Sequence, residues 1–126
     1  MIEEGNLQRL VDRFYDKVRA DDLLGPIFNN TIADWPEHLE KLGAFWSSVM
    51  LTSGRYKGNP MVAHLRLASR IDPAMFDHWL KLWGETATEL LDAPGAAAVT
   101  AKAERIAESL QLGMFFQLPS RGGSAA

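Results

Sequence analysis

Apolar residues recur along this chain at spacings of three and four. Proline and glycine interrupt them at Gly25-Pro26, Gly58-Asn59-Pro60, Pro73, Pro94-Gly95 and Pro119, a pattern that predicts a succession of amphipathic helices. In the first helix Asn6 is the expected N-cap, and Leu7, Leu10, Val11, Phe14, Tyr15 and Val18 form one stripe, so Tyr15 is expected to face inward. The next opens with Asp34 as cap, Pro36 in the first turn and Glu37 three residues after the cap, and Leu39, Leu42, Phe45, Trp46, Val49 and Met50 are its inner face. Thr52 to Asn59 reads as a loop, after which Pro60 starts a short helix with Met61, His64 and Leu65 on a shared face. Asp72-Pro73 signals a longer helix lined by Phe76, Trp79, Leu80, Trp83, Ala87, Leu90 and Leu91, which Pro94-Gly95 is expected to end. The last helix is placed from about Ala96 to Gln117, burying Val99, Ala103, Ile106, Leu110 and Met114. The five Val, five Ile and five Thr are scattered singly, with no alternating run, so the expected fold is all-α.

Composition narrows the class. With 126 residues, 47% of them apolar, the chain suits one compact domain, placed at 1–118, and a small, polar, Gly-rich tail at 119–126 reads as disordered. A net charge of −3 without a basic stripe argues against a nucleic-acid partner. No apolar segment reaches the roughly 20 residues a membrane span requires, and the acidic start Met1-Ile2-Glu3-Glu4 is unlike a secretory leader; a cytoplasmic protein is expected. Cysteine is absent, which excludes disulfides, thiolate metal sites and thiol nucleophiles, so any metal must be held by His or carboxylate.

The aromatic residues admit two readings. Phe, Tyr and Trp, concentrated between Phe14 and Trp83, either fill the space between helices or enclose a flat ligand. The three histidines show no paired metal-ligand spacing. His38 lies on the stripe of Leu42 and Phe45, His64 on the inner face of the short helix, and His78 on the flank of the Trp79 stripe, as a surface or supporting residue. Tyr15 and Trp79 each put one hydrogen-bond donor on an apolar face. Their donors either pair with backbone carbonyls or, if aimed into a cavity, suit a species that acquires negative charge. No nucleophile elbow, phosphate-binding glycine loop or dinucleotide fingerprint is present.

Taken in order, the segments FYDKVRADDLLGPIFNNTI, DWPEHLEKLGAFWSSVML, SGRYKGNPMVAHLRL and FDHWLKLW resemble the truncated haemoglobins, group III branch, over about Leu7 to Leu91. The Gly-Gly motifs of group I are missing. The resemblance implies a short globin fold, a two-over-two helical sandwich, enclosing haem b (iron protoporphyrin IX). It implies His64 as the proximal iron ligand, Tyr15, His38 and Trp79 around the distal ligand, and Phe28, Leu42 and Phe45 as pocket walls. Lys41 and Tyr56 are placed at the propionate edge. His38 either swings in to coordinate iron or swings out and gates access. The function so implied is binding of O2, NO, CO or peroxide at a histidine-ligated iron. It suits oxygen or nitric oxide chemistry with an unidentified reductase rather than bulk oxygen transport. The alternatives are a haem-dependent redox enzyme, a nitric oxide dioxygenase or peroxidase-like, and a haem-free helical interaction module. A monomer or weak dimer is expected, with Met114, Phe115 and Phe116 either exposed for pairing or closing the far side of the pocket.

Overall fold

A computed structural model describes residues 2–65 and 70–115. Among them lie six helices: α1 (Glu4–Ala20), α2 (Gly25–Thr31), α3 (Trp35–Leu51), α4 (Pro60–Leu65), α5 (Pro73–Leu90) and α6 (Ala93–Met114). The described residues contain no strand, and no helix is long and apolar enough to cross a membrane. The expected tail at 119–126, and the end of the last helix beyond Phe115, lie outside the described residues.

Helix α1 is the axle. Leu7, Leu10, Val11, Phe14, Tyr15 and Val18 are all buried, as their spacing requires. Helix α1 packs on α2, α3 and α5, α5 packs on α6, and α4 rests on α6. The pairs α1/α3 and α5/α6 thus form two layers joined where α1 meets α5, the two-over-two sandwich of a short globin. Trp46 of α3 and Trp83 of α5 close the centre, stacked with ring centroids 4.4 Å apart. A second cluster of Phe76, Ala107, Leu110 and Met114 packs against Met61, Ile71, Leu80, Ile106 and Phe115 and so docks α4 on the α5/α6 pair.

Local chemistry sets the helix ends. Asp34, Asp72 and Asp92 each accept the backbone N–H three residues on, from Glu37, Met75 and Gly95, satisfying donors that a helix start leaves unpaired. Helix α1 begins earlier than expected: Glu3 is the N-cap, and Asn6, at the third helical position, reaches back to accept the Glu3 N–H at 3.1 Å in a reciprocal box. Gly25-Pro26 opens α2 rather than a loop, because proline is tolerated in a first helical turn. For the same reason Pro94 belongs to the first turn of α6, not to the end of α5, which stops at Leu90. Helix α3 ends on Thr52 in the left-handed region, φ 53°.

Two glycines sit at close approaches, and only the first has backbone against it. A Cβ on Gly25 would lie 2.8 Å from the backbone carbonyl oxygen of Arg19. One on Gly43 would occupy the place of the Gln8 side-chain amide, which donates to the Leu39 carbonyl at 3.2 Å and so ties α1 to α3.

The loop between α3 and α4 is pinned rather than loose. Fully buried Ser47 bonds Glu4 at 2.5 Å and Ser53 at 2.6 Å, Arg55 pairs with Glu4, and the Tyr56 N–H donates to Ser48 at 2.8 Å. The bonds from Ser47 and Arg55 hold the Glu4 carboxyl below its usual range against a smaller opposing effect of burial. This strap delivers the Tyr56 ring to Phe45, 5.3 Å between centroids.

Candidate functional site

The site lies where α1, α2, α3 and α5 meet, and α4 approaches the same face of α5. Tyr15, 4% exposed, is ringed by Phe14 at 4.7 Å, Phe28 at 5.7 Å, Trp35 at 6.1 Å and His38 at 6.5 Å. Burial pushes the Tyr15 phenol up to about 12, and the neighbouring Trp79 indole N–H only partly offsets this. Tyr15 therefore stays protonated at any physiological pH, with an O–H proton to donate.

His38 stands edge-on to Trp35 at 5.8 Å and to Tyr15. Burial lowers its pKa, Lys41 lowers it further, and Glu37 opposes. A half-buried imidazole so placed is neutral and keeps a lone pair. Trp35 is a member of this cluster that the sequence reading did not pick out. It occupies the first turn of α3, with the Arg19 guanidinium 4.5 Å over its ring; an aromatic residue between a capping Asp and a Pro was the available signal.

On the other side, His64 is half-buried on α4. Its Nδ1 lies 2.7 Å from the carbonyl oxygen of Pro60. A carbonyl only accepts, so Nδ1 carries the proton, and in the neutral ring the lone pair is on Nε2. The His64 ring sits 6.4 Å from Phe76, which in turn meets Phe115 edge-on at 6.0 Å. Leu65, expected on the same face, is instead 45% exposed: it is displaced by one residue, about 100°, around a helix. Phe76 stands beside His64 and Trp79 beside Tyr15. The two groups therefore address one face of α5 from points three residues apart, about 4.5 Å of rise.

Between them the apolar lining is incompletely covered. Leu42, Phe45 and Val49 of α3, Phe28 of α2, and Trp79 and Leu80 of α5 are only partly buried against the core, whereas the α1 face is closed. Lys41 and Tyr56 stand at the margin. Lys41 is exposed and 3.9 Å from Glu37; the Tyr56 phenol is pushed up by partial burial. His78 lies outside the cluster, its Nε2 2.7 Å from Asp21 Oδ1. Asp21 Oδ2 meanwhile accepts from the Leu23 and Leu24 N–H groups. Burial alone would raise Asp21, but the bonds from His78 and these N–H groups outweigh it and hold the carboxyl low. His78 thus fastens α5 to the α1–α2 corner, the supporting role expected of it.

These features fit a flat, largely apolar group that needs one axial protein nitrogen. No three His, Asp or Glu side chains converge among the described residues, while His64 offers an oriented imidazole and the half-covered faces offer walls. The Bacterial-like globin family matches residues 3–111. The chain is 36% identical over 114 residues to the group 3 truncated hemoglobin ctb of Campylobacter jejuni, covering 87% of this chain and 89% of that protein. The crystal structure of the group III truncated hemoglobin from Campylobacter jejuni superposes with a TM-score of 0.82 at 33% identity, covering 98% of this chain and 96% of the other.

Proposed function

Since the chain belongs to the bacterial-like globin family, in its group III truncated haemoglobin branch, we propose that it holds haem b through His64 and binds O2 or another diatomic ligand beside Tyr15. The observation that carries this reading is the bond from His64 Nδ1 to Pro60. It puts a proton on Nδ1 and orients the ring, which supports Nε2 as the ligating atom, as such bonds support metal-bound imidazoles. Bound there, the haem would supply an iron able to take up the small ligand.

The chain's own residues do the rest. Leu42, Phe45 and Phe28 cover the faces of the ring and keep water out, while Lys41 and Tyr56 meet its carboxylate edge. Tyr15 donates its hydroxyl proton to the atom of the ligand that gathers negative charge. The Trp79 N–H, beside the Tyr15 hydroxyl, is a second donor on that face. His38, neutral and resting on Trp35 and Tyr15, guards the approach. A preorganised donor in a dry pocket slows ligand release, which favours chemistry with nitric oxide or peroxide over oxygen carriage.

The test is the absorption spectrum of the haem-loaded chain, ferric, reduced and under carbon monoxide, for the wild type and His64→Gly. The wild type is expected to give a histidine-ligated ferrous form that shifts with carbon monoxide, and His64→Gly to lose it and regain it on adding imidazole. A variant that keeps an unchanged ferrous spectrum without imidazole removes His64 from the axial role.

A further inference from the structure

The two histidines assigned to the site are held differently. His64 is oriented by the bond from Nδ1 to the Pro60 carbonyl. His38 makes no hydrogen bond to any described residue; its ring rests edge-on against Trp35 at 5.8 Å and Tyr15 at 6.5 Å. It is half-buried against a Tyr15 that is 4% exposed, and so forms the outer layer on that side of the pocket. Ring contacts lack the directional partner through which a hydrogen bond sets a ring's rotation. Where His38 stands is therefore set by its packing, and Trp35, three residues earlier on the same helix face, is the nearer of its two supports.

Trp35 is itself held. It is 8% exposed although it opens α3 directly after the capping Asp34, and the guanidinium of Arg19, in the last turn of α1, lies 4.5 Å over its ring. Arg19 is placed by α2: its carbonyl accepts from Asn29 Nδ2 at 3.1 Å, and a Cβ on Gly25 would come within 2.8 Å of that same oxygen. No carboxylate pairs with the guanidinium among the described residues, so its charge is left to the indole, the ring that attracts a cation most strongly.

From this chain of contacts we infer that the Arg19–Trp35 stack is a latch on ligand entry. Arg19, exposed on α1, holds Trp35, and Trp35 holds His38 over Tyr15. The inference rests on the proposed haem reading for its ligand, and on the contacts alone for the position of His38. Arg19 and Trp35 are positioning residues: they act on the path of a diatomic ligand through His38. A cation over an indole near the surface shifts a two-state balance about two- to fivefold, and a latched His38 swings aside less often by that factor.

The test has two arms. In the haem-loaded chain, flash photolysis of the carbon monoxide complex separates geminate from bimolecular recombination. Carbon monoxide gathers little charge, so a change reads the path and not the Tyr15 donor. Arg19→Gln is expected to raise the bimolecular rate about two- to fivefold and to lower the geminate fraction. Arg19→Lys keeps a cation over the ring and is expected to restore most of the wild-type behaviour. In a His38→Ala background the latch has nothing to hold, and Arg19→Gln is expected to change nothing further. A rate equal to wild type in Arg19→Gln overturns the latch, as does an equal acceleration with and without His38. In the haem-free full chain, nuclear Overhauser contacts between the His38 ring and the Trp35 indole are expected to weaken in Arg19→Gln while those between Phe14 and Tyr15 persist. His38–Trp35 contacts left unchanged by Arg19→Gln overturn the latch independently of haem. Failure of the wild type to take up haem would defeat the proposed function and leave this second arm to decide the latch.

Discussion

Replacing Tyr15 by Phe removes one oxygen and leaves the ring and its packing against Phe14, Phe28, Trp35 and His38 in place. In the ligand-free chain the half-buried Trp79 N–H loses a neighbouring dipole, and stability is expected to change by less than about 1 kcal/mol. In the ligand-bound chain the lost bond goes to an atom carrying partial negative charge, a class worth about 1.5–3 kcal/mol. If the transition state for release has already broken it, O2 dissociation accelerates roughly 10- to 150-fold, at a factor of ten per 1.36 kcal/mol. The neighbouring Trp79 N–H can turn toward the ligand in compensation, which places the expectation in the lower half of that range. Stopped-flow measurement of O2 dissociation from the ferrous, haem-loaded chain reads the effect directly. Carbon monoxide, which gathers less charge, is the control and is expected to respond less. An O2 rate within about twofold of the wild type, where loss of a charge-assisted bond demands far more, would refute the donor role. An equal acceleration for both gases would show that the substitution opened the pocket rather than removing a bond.

The remaining predictions concern the frame and its proton balance. Gly25→Ala sets a methyl against the Arg19 carbonyl, a backbone atom that cannot step aside, and is expected to lower stability by about 1–3 kcal/mol in a urea melt. Gly43→Ala displaces only the flexible end of Gln8. The hydrogen bond lost and the helix propensity gained are each about 1 kcal/mol, so its midpoint is expected to move little. Thr52 occupies a left-handed position with a β-branched side chain, and Thr52→Gly is expected to raise stability by about 1 kcal/mol. Burial, then Lys41, depress the folded-state pKa of His38. The unfolded chain therefore binds the proton more readily, and stability falls as pH drops below the free-imidazole range and levels off below the folded value. The pH dependence of unfolding is expected to lose that component in His38→Gln, and an unchanged profile would assign it elsewhere.

How much of this was legible beforehand depends on which interactions carry each feature. The α1 stripe was readable because a 3.6-residue period and burial are the same fact seen twice, and all six of its apolar positions are buried. Asp34 and Asp72 were readable as caps because their bonds are local. Gly25-Pro26 and Pro94-Gly95 misled because proline is compatible both with a break and with a first turn. What decides is an aspartate upstream of it: the Asp92 carboxylate, which accepts the Gly95 N–H at 2.7 Å, and the Asp21 corner that leads into α2. The site divides in the same way. An i, i+4 spacing brings Trp79 onto Trp83, but only the tertiary fold brings Trp46 of α3 onto Trp83, and no local pattern encodes that contact. The partner of His64 Nδ1 is a backbone carbonyl, which every residue has and no letter marks. The pocket walls were hidden for a further reason. Leu42, Phe45 and Val49 share the apolar period of any core helix, and the sequence does not distinguish positions that another helix covers from positions left partly open. The distinction emerges once the chain's own side chains have been counted against each face: the α1 stripe is closed, the α3 stripe is not. A stripe with core periodicity and incomplete cover is the physical signature of a core completed by something other than polypeptide, and it is the reason the haem reading rests on the fold as a whole as well as on His64.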